Sequence, residues 1–171
     1  MIGIIFDLDQ TLVDSDVVRP FRDARNWPEV YKRVPQVKAY DGICKLLKEL
    51  EEAQIPICLV TSAPSKYCGQ VVDHCGLRIR HKVCYHDTRE HKPHPAPILK
   101  GIEALGIPAA QVIAVGDDVK DVLAAKAAGS FAVAVSWGIG EKTDLEASMP
   151  DAICDTVAEL RTRLFRHIKR G

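Results

Sequence analysis

The fold is decided by residues 1–15, which read MIGIIFDLDQTLVDS. The continuous apolar run from Ile2 to Phe6 is typical of a buried strand in a parallel sheet. Two carboxylates, Asp7 and Asp9, follow this run directly, although like charges repel each other and resist burial at a strand end. A cation bound between them would remove that conflict. Because ligands of open α/β sheets bind at the carboxyl ends of strands, this strand end is predicted to be an active site.

Length and charge set the next limits on the protein. Its 171 residues are enough for one domain with its own core, and we expect residues 1–171 to form a single catalytic domain. The chain has 23 basic and 23 acidic residues, so no global charge favours nucleic acid or an anionic membrane. The apolar runs are too short for a signal peptide or a membrane span, which predicts a cytoplasmic protein without a membrane partner.

The cysteines allow two interpretations. The 6 cysteines include no Cys-x-x-Cys pair, which favours reduced and mostly buried thiols. The alternative is a zinc loop built from Cys84, His86 and His91, with His94 close behind.

Beyond residue 40, short apolar runs alternate with segments of helical periodicity. Strands are predicted at 55–60, 82–85, 112–115 and 131–135, and helices at 43–53, 65–75, 95–105, 119–128 and 157–168. This alternation predicts an α/β fold, a three-layer Rossmann-like parallel sheet with helices on both faces. The stretch after Gly138 is rich in turn residues through Pro150. Prolines interrupt residues 16–40, so only short helices at 20–26 and 28–33 are expected there, near the mouth of the site.

Polar side chains follow three of the predicted strands, at the end where each strand stops. They are Asp7 and Asp9, then Thr61 and Ser62, then Asp117, Asp118 and, three residues later, Asp121. The carboxyl ends of parallel strands lie along one edge, so these groups should meet in one crevice. Lys92 lies on a loop that could reach the same crevice.

The residue types in this crevice suit phosphoryl transfer. Carboxylates are hard oxygen donors of the kind that Mg²⁺ prefers. A hydroxyl from Thr61 or Ser62, together with the charge of Lys92, would hold phosphoryl oxygens. One carboxylate could attack phosphorus, while another two residues away protonates the leaving oxygen and later activates water.

Four segments together resemble the motifs of the haloacid dehalogenase-like superfamily. They are Asp7-Leu-Asp9-Gln-Thr11, Val60-Thr61-Ser62, Lys92-Pro-His-Pro95 and Gly116-Asp-Asp-Val-Lys-Asp121. Their order and their places after predicted strands agree with the family pattern, except that Gln10 stands where glycine is usual. Residues 92–138 are similar to the phosphoglycolate phosphatase-like branch.

The resemblance implies a role for each site residue. Asp7 would be the nucleophile and a Mg²⁺ ligand, and Asp9 the general acid and base, with its main-chain carbonyl on the metal. Thr61, Ser62 and Lys92 would bind the phosphoryl group. Asp117 would ligate Mg²⁺, supported by Asp118 or Asp121. The acid at position 9 favours a phosphatase over a dehalogenase, so the expected activity is Mg²⁺-dependent hydrolysis of a phosphomonoester through an aspartyl-phosphate.

The region that carries a helical cap in other family members is short here. Only residues 16–40 fill that place, which we interpret as a cap remnant that leaves an open site. The phosphorylated substrate is therefore left unassigned, either a small molecule or a macromolecule such as a phosphoprotein or a nucleic-acid 3′-phosphate. A non-catalytic interaction protein that uses residues 16–40 as its contact surface is the other alternative, and the oligomeric state is open.

Overall fold

The apolar run before Asp7 forms a central strand of a six-stranded sheet. The computed structural model describes residues 1–169, over which the strands are β1 (Gly3–Phe6), β2 (Val13–Asp14), β3 (Lys38–Ala39), β4 (Ile57–Val60), β5 (His81–Val83), β6 (Val112–Gly116), β7 (Phe131–Val135) and β8 (Ala152–Cys154). The main sheet has the order β5-β4-β1-β6-β7-β8, and every neighbouring pair in it is parallel. Strands β4, β1 and β6, which precede the predicted site residues, are therefore neighbours.

Helices cover both faces of this sheet. Over the same residues they are α1 (Arg19–Asp23), α2 (Trp27–Arg33), α3 (Ile43–Glu52), α4 (Ser65–His74), α5 (Ala96–Leu105), α6 (Val119–Ala127), α7 (Lys142–Ala147) and α8 (Val157–Ile168). Side chains alternate across a strand, so Ile4 and Phe6 join the core under α3, α4 and α8, whereas Ile5 joins the core under α5 and α6. The predicted three-layer α/β architecture is confirmed.

Helix α5 packs unusually close to the sheet at Gly101. A Cβ at this position would lie 2.9 Å from Cγ2 of Val60 and 3.0 Å from Cδ1 of Ile5. Glycine therefore sets the spacing between α5 and strands β1 and β4. Lys92 lies in the loop just before this helix.

Residues 16–40 form two short helices close to the positions expected from the sequence. Val30 of α2 is fully buried, and Phe21, Trp27 and Tyr31 pack against the larger core. A two-residue antiparallel pairing of β2 with β3 closes the base of the segment, with Val13 opposite Ala39. This pairing was not predicted, because two-residue strands leave no periodicity in the sequence.

Helix α7 and strand β8 were not predicted from the sequence. Helix α7 occupies part of the turn-rich stretch, and of its six residues only Leu145 is buried. A single apolar contact is too weak a signal to reveal a helix. Strand β8 has three residues and lies at the edge of the sheet, where it pairs only with β7. None of the helices formed by residues 1–169 has the length and apolar character needed to cross a membrane.

Candidate active site

An open cleft of about 230 Å³ lies at the carboxyl ends of the central strands. Asp7 follows β1, Thr61 follows β4 and Asp117 follows β6, so three adjacent strands deliver them to one place. All eight residues singled out from the sequence line this cleft: Asp7, Asp9, Thr61, Ser62, Lys92, Asp117, Asp118 and Asp121.

Three of the acids form a compact group. One carboxylate oxygen from each of Asp7, Asp117 and Asp121 lies within 4.8 Å of the others. Lys92 lies against this group, with Nζ 2.7 Å from Oδ1 of Asp7 and 2.5 Å from Oδ1 of Asp121. Its Nζ also donates to the main-chain oxygen of Val60, at 3.1 Å. Three carboxylates thus face a single ammonium group, which leaves an excess of negative charge.

Burial disfavours the ionised form of these acids. Burial raises the pKa of Asp7 well above its ordinary value; Lys92 opposes this rise, while Asp121 and Asp117 add to it. Burial, with a further contribution from Asp121, raises the pKa of Asp117 to about 6. Burial alone would lower the pKa of Lys92, but the carboxylates of Asp121 and Asp7 outweigh it and raise that pKa. A hard divalent cation would stabilise the ionised acids, and the donor set therefore fits Mg²⁺.

Asp117 is held in place by contacts that were not predicted individually. The Thr11 hydroxyl donates to Oδ1 at 2.9 Å, and the main-chain N–H of Ile139 donates to Oδ2, also at 2.9 Å. A Cβ on Gly138 would lie 2.3 Å from the Asp117 side chain, so only glycine leaves room for it. The indole N–H of Trp137 donates to the main-chain oxygen of Thr11 at 3.1 Å. The signal was present in the sequence, because Ser-Trp-Gly follows β7 at the same edge of the sheet.

Asp118 and Asp121 have different surroundings, although both were assigned to the metal. The Asp118 carboxylate accepts the main-chain N–H of Lys120 at 2.9 Å and caps α6. Asp121 accepts the Asp118 N–H through Oδ2 at 3.1 Å and directs Oδ1 towards Lys92. The Asp118 carboxylate thus caps the helix and lies outside the group of three acids, and its supporting role towards the metal stays a prediction.

The carboxylate of Asp9 likewise lies outside the group of three acids. Its Oδ1 accepts a hydrogen bond from the Tyr67 hydroxyl at 2.7 Å and lies 2.6 Å from Nη1 of Arg22. Its Oδ2 is buried and has no hydrogen-bond partner among residues 1–169. The residues that fix Asp9 come from α1 and α4. Neither was assigned this role from the sequence, because α1 is short and its arginines resemble ordinary surface charges.

Thr61 and Ser62 lie at the end of β4. The Thr61 side chain is buried, and its hydroxyl oxygen accepts the main-chain N–H of Ala63 at 3.1 Å. That hydroxyl proton has no acceptor among the described residues, so it remains available to a ligand in the cleft. Ser62 is exposed at the mouth.

The side chains of the alternative zinc loop are not placed together in the described residues. Within residues 1–169, the only group of three or more His, Cys, Asp or Glu side chains placed to share a metal ion is Asp7, Asp117 and Asp121. The His91 ring stacks on Tyr85 instead, with ring centroids 3.9 Å apart, and Cys84 is buried. All 6 cysteines are free thiols.

Comparisons with known proteins identify the family of the chain. Residues 21–135 match the family of haloacid dehalogenase-like hydrolases. A phosphoglycolate phosphatase from Xanthomonas campestris pv. campestris (strain 8004) is 37% identical over 118 residues, which cover 65% of this chain and 53% of that protein. An N-acetylmuramic acid 6-phosphate phosphatase from Pseudomonas aeruginosa is 31% identical over 165 residues, which cover 94% of this chain and 71% of that protein.

The fold matches solved structures along nearly its whole length. A hydrolase from Pseudomonas syringae superposes with a TM-score of 0.86 and 20% identity, covering 97% of this chain and 99% of that chain. The chain spans only about half the length of the phosphoglycolate phosphatases that it matches, 53% and 57% in two of them. The match over residues 21–135, together with these relatives, shows that the chain belongs to the haloacid dehalogenase-like hydrolase family.

Proposed function

We propose that this protein is a Mg²⁺-dependent phosphomonoester hydrolase that works through an aspartyl-phosphate on Asp7. The observation that carries the proposal is the grouping of Asp7, Asp117 and Asp121 around Lys92 at the ends of adjacent strands. The two relatives described above are both named as phosphatases. Their names give different leaving groups, glycolate and an amino sugar, so similarity supports the reaction and leaves the substrate open.

The metal would be held by the three grouped carboxylates. Asp7, Asp117 and Asp121 would each give an oxygen, and the main-chain carbonyl of Asp9 would be a further donor. When bound, Mg²⁺ supplies positive charge that offsets the repulsion between these acids and the phosphoryl oxygens. The raised pKa values of Asp7 and Asp117 support this assignment, since a bound cation would stabilise the ionised form of both acids.

The reaction would have two displacement steps, in which the residues around Asp7 have different roles. In the first, a carboxylate oxygen of Asp7 forms a bond to phosphorus, the bond to the leaving oxygen breaks, and Asp9 gives that oxygen a proton. In the second, water attacks phosphorus, Asp9 takes the proton, and inorganic phosphate leaves with Asp7 restored. The hydroxyls of Thr61 and Ser62 and the ammonium of Lys92 hold the phosphoryl oxygens through both steps.

The remaining expectations fit the same proposal. The 6 free thiols suit a reducing compartment, which supports a cytoplasmic location. Residues 16–40 place Arg19 and Arg22 on the wall of the cleft, which supports their interpretation as a reduced cap.

Hydrolysis of para-nitrophenyl phosphate tests the proposal. We expect turnover with Mg²⁺, loss of turnover on chelation, and a fall of more than about 10³-fold in Asp7→Asn, because the amide is not a nucleophile. Asp73→Asn is the matched control, since Asp73 is an exposed acid on α4 outside the cleft. Mg²⁺-dependent turnover that survives in Asp7→Asn would contradict the assignment of the nucleophile.

A further inference from the structure

A second cavity opens beside the catalytic cleft and shares part of its wall. It measures about 400 Å³, and we refer to it as the side cavity, defined by Arg22, Arg25, Trp27, Ser62, Tyr85 and His86. Arg22, Asp23 and Ser62 line both the side cavity and the cleft that contains Asp7. A molecule bound in the cleft can therefore extend into the side cavity.

The proposed chemistry fixes the direction of that extension. The leaving oxygen must lie near Asp9, because Asp9 gives it a proton in the first step. Asp9 contacts Arg22 at 2.6 Å and Tyr67 at 2.7 Å, and Arg22 forms part of the side-cavity wall. The leaving group thus departs on the side of the cleft where this cavity opens. This step rests on the proposed function.

The walls of the side cavity present aromatic rings. Tyr85 is 40% exposed, and its ring is oriented by stacking on His91, at 3.9 Å, and by an edge contact with His86, at 5.0 Å. The Trp27 ring packs against Tyr67, with ring centroids 6.3 Å apart. Oriented aromatic side chains favour stacking with a planar ring, since little side-chain entropy is lost on binding.

The charged groups in the wall favour a ring that carries hydrogen-bond acceptors. Arg25 lines the cavity and has no ion-pair partner among residues 1–169. Its φ of 53° places it in the left-handed region, which is costly for a residue with a Cβ. Asp23 is the only acid among the lining residues. A guanidinium free of partners can stack on a ring or donate to its ring nitrogens and carbonyls.

We propose that the side cavity holds the leaving group of the substrate, and that this group carries a planar heteroaromatic ring, as in a nucleoside monophosphate. The size of the cavity agrees, because about 400 Å³ falls within the range of small-molecule sites, and a two-carbon leaving group such as glycolate would leave most of it empty. The ring lies against Tyr85 and Trp27, and Arg25 faces its polar edge.

The test compares two esters that differ only in the base. The values of kcat/KM are measured for adenosine 5′-monophosphate and ribose 5-phosphate with Mg²⁺, in the full chain. We expect the nucleotide to be preferred by about tenfold or more, the size of one good aromatic stacking contact. Tyr85→Phe keeps the ring and should keep this ratio, whereas Tyr85→Leu should lower it at least threefold. Leu99→Ala, an exposed residue outside both cavities, is the control for general effects.

The outcomes separate this inference from the proposed function. Equal kcat/KM values for the two esters in the wild-type protein would overturn the inference, while their Mg²⁺-dependent hydrolysis would still support the phosphatase. An unchanged ratio in Tyr85→Leu would also overturn it, as would 2-phosphoglycolate proving a better substrate than the nucleotide. Failure to hydrolyse any of these esters or para-nitrophenyl phosphate would overturn the proposed function, and the inference with it.

Discussion

The Arg22 guanidinium lies 2.6 Å from Oδ1 of Asp9 and 4.9 Å from the centroid of the Tyr67 ring. Burial alone would lower the pKa of Arg22, but the Asp9 carboxylate outweighs it and raises that pKa. The contact joins α1, in the short segment between β2 and β3, to the acid that follows β1. This short segment therefore supplies a charged partner to Asp9.

Removing the Arg22 charge should impair turnover more than binding. In Arg22→Met the guanidinium is removed, and Asp9 keeps only the tyrosine hydroxyl as a fixed partner. We expect kcat for para-nitrophenyl phosphate to fall about tenfold with a smaller change in KM, because the position of Asp9 matters most in the transition state. Arg78→Met is the control, since its pair with Glu51 is exposed and should contribute little. Unchanged kcat in Arg22→Met would refute a positioning role.

Magnesium should stabilise the folded protein through the three grouped acids. We expect 10 mM Mg²⁺ to raise Tm by several degrees in the wild-type protein, because a ligand that binds only the folded state shifts unfolding by mass action. In Asp117→Asn the shift should be much smaller, while the metal-free variant stays at least as stable as the wild type, since a buried charge has been removed. Asp73→Asn should respond like the wild type. An equal Mg²⁺ response in all three proteins would argue against this metal site.

The metal-free protein should lose stability as pH rises. The pKa of Asp117 moves from an ordinary 3.8 to about 6 on folding, so the folded state holds its proton over a range in which the unfolded chain has released it. Stability then falls as pH rises through that range, and the penalty is complete above pH 6. We expect this carboxyl to contribute a loss of about 2 kcal/mol between roughly pH 4.5 and pH 7.5.

Urea unfolding of metal-free protein at those two pH values checks this expectation. Asp117→Asn cannot ionise at this position and should show a smaller decrease in unfolding free energy over the same interval. Asp7, whose pKa is also raised mainly by burial, should leave part of the pH dependence in place. A steeper decrease in the variant would show that the sign assigned to Asp117 is wrong.

Adding a methyl group at Gly138 should displace Asp117. The new Cβ would lie 2.3 Å from the Asp117 side chain, so the carboxylate must move away from Thr11 and Ile139. We expect Gly138→Ala to lower stability by about 1–3 kcal/mol and to reduce Mg²⁺-dependent activity at least tenfold. Gly69→Ala provides the contrast. It lies within α4 with nothing within 4 Å of its new Cβ, and it should be neutral or slightly stabilising.

The layers and the convergence of polar groups at one sheet edge could be predicted because both depend on local patterns. An apolar run ending in Asp7, and another ending in Gly116-Asp117, place acids at strand ends whatever the rest of the chain does. The surroundings of Asp9 could not be predicted in this way. Its contacts with Arg22 and Tyr67 depend on how two helices pack, and helix packing leaves no fixed spacing in the sequence.

The difference between Asp118 and Asp121 shows the same limit at shorter range. Asp118 follows Asp117 directly, and an aspartate at this position can either hold a metal or cap a helix. The start of α6 decides between these two roles. There the Asp118 carboxylate accepts the main-chain N–H of Lys120, and the Asp121 carboxylate turns towards Lys92. The sequence placed these acids at one strand end but could not rank their roles.

The pairing of Val13 with Ala39 has a consequence for engineering and for divergence within the family. The segment after Val13 returns at Ala39, and these two residues are paired side by side. The sheet therefore does not set the length of the segment between them. Doubling such a loop costs only about 0.6 kcal/mol in closure entropy. A longer module inserted within this segment, with Arg22 and the buried Val30 left in place, should therefore be accommodated without rebuilding the catalytic edge.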